Sequence, residues 1–192
     1  MHLYTIEKTA MKAVKSILSM SEKTCSEARM WTRFAYLYEK GLICTDGVRL
    51  LRIHDTDLEK EFESFIRETG RVVVFSLQGD SLKMEYDIAK NDTEVGIMEK
   101  LIPTDERLNG KESGVFYNRF TEDGKTPKAK DIAKSMFCTA VLSTKKWFDP
   151  ERFDNMGIRP WARVLPVRSM VVFGADNGEV FICMGLRWED FA

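Results

Sequence analysis

The acids Asp46, Asp55, Asp57 and Glu59 fall close together in the chain. Grouped carboxylates can hold a divalent cation and activate water, as a metal-dependent hydrolase requires. Acids beside turns are far more often simply solvated. Cys44 and His54 could pair as nucleophile and base, although no glycine-rich oxyanion loop accompanies them. His2 and His54 are the only histidines, which excludes a histidine-rich metal site. No P-loop or GxGxxG is present, and Gly110-Lys111-Glu112-Ser113 lacks the upstream glycine of a phosphate-binding loop. No motif asks for a cofactor. A different chemistry, contact with phosphates, is available to Lys8, Lys12 and Lys15. Their i, i+4, i+7 spacing gathers them on one helical face, where the alternative role is solvation.

These groups must be positioned by elements that the hydrophobic pattern predicts. The opening HLYTIEK reads as a short strand, and Thr9 to Met20 as a helix with Ala10, Met11, Val14, Ile17 and Leu18 on its apolar stripe. Ser21 to Arg29 is polar and reads as a loop. Arg33 to His54 holds two turn signals, Glu39-Lys40-Gly41 and Thr45-Asp46-Gly47, between runs of aromatic and branched residues. That pattern predicts antiparallel strands over 32–38, 41–45 and 48–54, with Phe34, Tyr36 and Tyr38 on one face. Asp55 to Asp57 reads as an acidic loop. A helix is expected over Leu58 to Thr69, stopped by Gly70, and then a hairpin of Arg71–Leu77 and Leu82–Tyr86. From Lys90 to Lys134 the pattern weakens, and Thr121 to Lys130 is expected to be a mobile surface loop. Order returns with a strand over Met136 to Leu142 and a helix opened by Asp149-Pro150-Glu151 and stopped at Gly157. Strands over 162–167, 169–175 and 179–186 follow, the last two joined at Asp176-Asn177-Gly178.

The expected order is strand, helix, strand, strand, strand in residues 1–54, repeated in 136–188, with an insert at 55–135. The fold class is α+β with antiparallel sheets, and the whole of 1–192 reads as a single domain. The 192 residues are 44% hydrophobic and 31% charged, and 29 Lys and Arg nearly balance 30 Asp and Glu, for a net charge of −1. Bulk attraction to nucleic acid is therefore excluded, and a basic face would require segregated charge. No apolar run approaches the ~20 residues of a membrane span, and the N-terminus lacks a signal-peptide core. Cys25, Cys44, Cys138 and Cys183 are far apart and form no CxxC, so buried thiols in a reducing, cytoplasmic setting are expected.

Thr45-Asp46-Gly47-Val48-Arg49-Leu50 has the form T-D-G-x-R-L, and the chain closes on Ile182-Cys183-Met184-Gly185-Leu186-Arg187. Together with the repeated topology, these segments resemble the DNA sliding clamps, in particular the bacterial DNA polymerase III beta subunit. Its domain doubles a strand-helix-three-strand unit, and its last strand carries V-x-M-P-x-R. Here Val48 stands where histidine is frequent, and Gly185 replaces the proline. The resemblance covers 1–54 and 136–188. It implies a DNA-clamp-like fold and a non-enzymatic protein that binds replication or repair partner peptides, such as those of polymerases, and that contacts or encircles double-stranded DNA. The same resemblance implies a peptide pocket from Thr45, Gly47, Val48, Arg49, Leu50, Ile182 and Met184. It implies a DNA-facing set from Lys8, Lys12, Lys15, Lys145, Lys146 and Arg152. A ring of six domains would need a homo-oligomer of six copies or a partner. A stand-alone protein-interaction module with this fold but neither ring nor DNA is the alternative.

Overall fold

The hairpin signals at Lys40-Gly41 and Asp46-Gly47 each close a turn in the computed structural model. The model describes residues 2–24, 27–90, 94–104, 116–117, 160–165 and 170–184. It is a mixed α+β structure with antiparallel strand pairing and, among the described residues, three α-helices. The chain divides into two units, Met1–Leu101 and Ile102–Ala192.

The first unit runs β1 (Leu3–Tyr4), α1 (Lys8–Thr24), a 3-10 segment (Glu27–Arg33), β2 (Phe34–Tyr38), β3 (Gly41–Thr45) and β4 (Arg49–Ile53). It continues with α2 (Thr56–Thr69), β5 (Arg71–Gln78), β6 (Ser81–Ala89) and α3 (Glu94–Leu101). Its strands lie in the order β1-β6-β5-β2-β3-β4. This order has an internal two-fold pattern: β1-α1-β2-β3 is matched by β4-α2-β5-β6. The second strands, β2 and β5, pair at the centre. Each first strand pairs with the last strand of the other half, β1 with β6 and β4 with β3.

Register divides the sheet into two faces. Ala35, Cys44, Leu51 and Phe75 are cross-strand partners on one face, and Tyr36, Ile43, Arg52 and Val74 on the other. Helices α1 and α2 cover the first face. Arg49, in phase with Leu51, bonds to Ser16 of α1, and Phe75 meets Phe62 of α2 edge-on at 5.7 Å. Helix α3 covers the second face, where Tyr38 donates its hydroxyl to Glu99. With both faces covered, β3 is buried along its whole length. Leu42 and Ile43, each at most 1% exposed, contribute roughly 1.5–3 kcal/mol apiece by burial.

Helix α1 buries Ala10, Met11, Val14, Ile17 and Leu18 as its stripe predicts, and α2 buries Leu58, Phe62 and Ile66. Asp55 caps α2 by accepting from the Leu58 N–H at 3.0 Å, and the left-handed Gly70 closes it through an N–H bond to the Ile66 carbonyl. Asp55 therefore belongs to a helix start rather than an acidic loop, and its other oxygen accepts from the Glu7 N–H at 2.8 Å. Gly41 has φ +106, and a Cβ there would lie 2.4 Å from the Ile53 carbonyl oxygen. The β2–β3 turn thus needs glycine.

The structure differs from expectation at several points. Ser21–Arg29 is not a loop: α1 runs on to Thr24 and the 3-10 segment begins at Glu27. Ser21 is buried and its hydroxyl is bonded to that of Thr32, so a polar residue sits inside without ending the helix. Helix α3 was not anticipated, because Gly96 and only two buried anchors, Val95 and Met98, leave a weak apolar period. Residues 55–89 are not set apart from 1–54. β5 and β6 pair with β2 and β1, so this part of the expected insert completes the first sheet.

In the second unit β7 (Phe116–Tyr117), β8 (Pro160–Leu165), β9 (Met170–Ala175) and β10 (Val180–Met184) are antiparallel in the order β10-β9-β8-β7. The turn at Asp176–Gly178 is closed by the Gly178 N–H on the Ala175 carbonyl at 2.9 Å. Strands β8, β9 and β10 correspond to the three strands expected last in the chain. The expected strand 136–142, the helix opened by Asp149 and the loop 121–130 lie outside the described residues.

Candidate functional site

The Thr45–Leu50 segment is held almost entirely by its own groups. Thr45 accepts from the Gly47 N–H at 3.0 Å and donates its hydroxyl to the Arg49 carbonyl at 2.6 Å. One Asp46 oxygen accepts the Val48 and Arg49 N–H groups at 3.0 and 2.7 Å. The other receives Arg49 Nε and Nη2, both at 2.8 Å. Arg49 also donates to the Ser16 hydroxyl and carbonyl at 3.0 and 2.9 Å. The Asp46 and Arg49 side chains are 3% and 7% exposed. The T-D-G-x-R spacing therefore builds a buried ion pair that fastens the β3–β4 hairpin to α1.

The expected pocket residues are accordingly dispersed in role. Thr45, Arg49 and Leu50 are buried, Gly47 shapes the turn, and Val48 is the exposed one, at 50%. Ile182 is buried in the second unit. Met184 ends β10, and its side chain lies outside the described set, as do Lys145, Lys146 and Arg152. On α1, Lys8 and Lys12 are exposed, whereas Lys15 is bonded to Asp80 in the β5–β6 turn.

Asp57 is exposed on α2, and the other catalytic candidates are buried or bonded within the fold. Asp46 pairs with Arg49 and Asp55 caps α2. His54 Nδ1 and Glu59 Oε1 are bonded to each other at 2.7 Å. Cys44 is 1% exposed, and burial, with the nearby Asp46 charge adding to it, pushes its thiol far above the ordinary range despite Arg49. Among the described residues no group of three His, Cys, Asp or Glu is placed to hold a metal ion, and no helix is long and apolar enough to cross a membrane.

A cleft of about 490 Å³ opens between α2 and the β2–β3 hairpin, lined by Leu37, Tyr38, Glu39, Thr56, Glu59, Lys60, Glu63, Ile66 and Arg67. Its floor is apolar and its rim charged. The internal two-fold pattern makes α1 and the β5–β6 hairpin the counterparts of α2 and the β2–β3 hairpin. In the matching place, α1 is tied to the β5–β6 turn by Lys15 and Asp80. The β2–β3 turn is tied elsewhere: Glu39 to Lys90, and Lys40 to Glu99 of α3 at 2.9 Å. Glu99 also accepts from Tyr38 at 3.1 Å and lies 3.9 Å from Arg52. Partial burial works against its charge, yet the bonds from Lys40 and Tyr38 and the charges of Lys40 and Arg52 hold its carboxyl below its ordinary value. Burial raises the Tyr38 hydroxyl well above its own.

The sequence pattern carries little sign of this cleft. Its one legible signal is Lys60, Glu63 and Arg67 at i, i+3 and i+7, a single exposed face of α2. The apolar floor comes from two elements brought together only by the sheet. No family model, curated protein or solved structure matches the chain.

Proposed function

We propose that this chain is a non-enzymatic binding protein of the sliding-clamp kind, which captures partner peptides and contacts duplex DNA along α1. The observation that carries the reading is the doubled strand-helix-strand-strand order of the first unit, with α1 and α2 on the same face of an antiparallel sheet. A clamp needs helices that present cations to phosphates without reading bases. Lys8 and Lys12, exposed on α1, meet that need. The repeat that supports the reading lies within residues 3–89; of the expected second half, 136–188, the described residues are 160–165 and 170–184.

The test is the anisotropy of a labelled DNA duplex titrated with the full chain at several salt concentrations. Two engaged lysines give a log–log salt slope of about −2, at roughly −0.9 per neutralised phosphate. Lys8→Glu with Lys12→Glu removes the binding. Unchanged binding in that double variant sinks the DNA part of the proposal. The outer face of α2 favours a second reading, an interaction module without DNA. Asp57, Glu61 and Glu68 are exposed there, on the same side of the sheet as the lysines, and would repel phosphate. Peptide capture without duplex binding selects that reading.

A further inference from the structure

We propose that α3 is an autoinhibitory contact: it occupies, from within the chain, a seat on the second sheet face that also takes a partner helix with apolar residues at i and i+3 and a carboxylate at i+4. This inference rests on the reading that the chain captures peptides, and it places the capture on that face rather than at Thr45–Leu50. The chemistry of the occupant is read from α3 itself. Val95 and Met98, three apart and so on one helical face, are 1% and 0% exposed. Glu99 accepts the Tyr38 hydroxyl at 3.1 Å and Lys40 Nζ at 2.9 Å, with Arg52 Nη1 at 3.9 Å. Those three groups come from β2, the β2–β3 turn and β4, so the sheet supplies the seat and α3 only fills it. Two cations and a hydroxyl converging on one carboxylate are complementary to an acid, and the Glu99 contact displays that complementarity directly. The neighbouring carboxylate, Glu39, pairs with Lys90. Helix α3 is also a weak holder of its seat. Its eight residues fall short of the ~12–15 that an isolated helix needs in water. Gly96 lies in its interior, where glycine disfavours a helix relative to alanine, and a Cβ there would meet nothing within 4 Å. Ile97 is 52% exposed and adds little to the attachment. A longer helix without glycine, presenting the same three side chains, is better pre-organised for the seat than α3.

The experiment is fluorescence anisotropy of the full chain with a labelled, alanine-rich helical peptide of about 15 residues carrying Val, Met and Glu at i, i+3 and i+4. Two control peptides replace its Glu by Lys, or its Val and Met by Ser. The first peptide is expected to bind about tenfold more tightly than either control, the factor of one charge-assisted contact. Glu99→Gln and, separately, Met98→Ser loosen α3 and should each tighten that binding by about tenfold, because the seat is then open more of the time. Lys40→Glu should turn the preference toward the Lys-bearing control. Hydrogen exchange reads α3 and the sheet separately: residues 94–101 should exchange faster in both α3 variants while β2, β3 and β5 stay protected. Equal affinities for the three peptides, no binding of any, or a loosened α3 without a gain in affinity overturns the inference. Exchange in 94–101 that is no faster in either variant overturns it as well. Should Val48→Asp abolish peptide binding while Glu99→Gln and Lys40→Glu leave it unchanged, peptide capture stands and the α3 seat is the wrong site. Should the duplex bind and no peptide do so, the α3 seat fails and the DNA reading remains.

Discussion

Replacing Arg49 by Met separates two roles for the T-D-G-x-R-L segment, a wall of a ligand pocket or a staple inside the fold. The substitution keeps most of the side-chain volume and removes the guanidinium. It deletes the two contacts to Asp46 at 2.8 Å and the two to Ser16 at 3.0 and 2.9 Å. Asp46, its side chain 3% exposed, then keeps only the Val48 and Arg49 N–H groups to offset a buried charge. Removing one partner of a buried pair costs about 3–5 kcal/mol, and the two surviving N–H bonds place this case near 3 kcal/mol. Asp46→Asn leaves Arg49 its Ser16 bonds and should cost about 2 kcal/mol. The double variant should cost less than the sum by about 1–2 kcal/mol, because each single change strands the other group. Amide hydrogen exchange across α1, β3 and β4 reads these values locally. A loss below about 1 kcal/mol for Arg49→Met, or strict additivity, would refute the staple. If stability stayed intact and peptide binding were lost, Arg49 would return to the pocket.

Gly41→Ala should cost about 3 kcal/mol or more, adding the left-handed penalty to the 2.4 Å contact with the Ile53 carbonyl. Gly70→Ala, with φ +62 and open space around it, should cost about 1 kcal/mol; chemical denaturation of both variants gives the ratio. Cys44, buried with its thiol pushed up, should resist alkylation in the native protein and react on unfolding, as site-resolved mass spectrometry would report. Glu99 has a carboxyl held below its ordinary 4.5. The attachment of α3 that depends on its charge is therefore complete above that value and lost as pH falls through the lower folded one. Protease cutting within 94–101 should rise in acid, and Glu99→Gln should make it pH-insensitive; an identical acid response in the variant would exclude Glu99 as the titrating group.

The chain's own pattern determined the local elements. Turn glycines, the stripe of α1, the apolar period of α2 and the branched runs of β2 to β5 are short-range signals, each legible from a handful of neighbouring residues. Asp55 was legible as an acid beside a helix but not as its cap, since capping depends on where the backbone turns. What tertiary structure alone decided was partnership. Residues 55–89 read as an insert, because their hairpin is locally complete, yet β5 and β6 pair with β2 and β1 across long sequence separations. Thr45–Leu50 read as a pocket by resemblance, and only the approach of Ser16 on α1 turns Arg49 inward. The cleft needed Leu37 and Ile66 from separate elements. Lys90 and Glu99, distant in sequence, pair with Glu39 and Lys40 of the β2–β3 turn. Those charges find one another through folded space, where sequence spacing carries no information about distance.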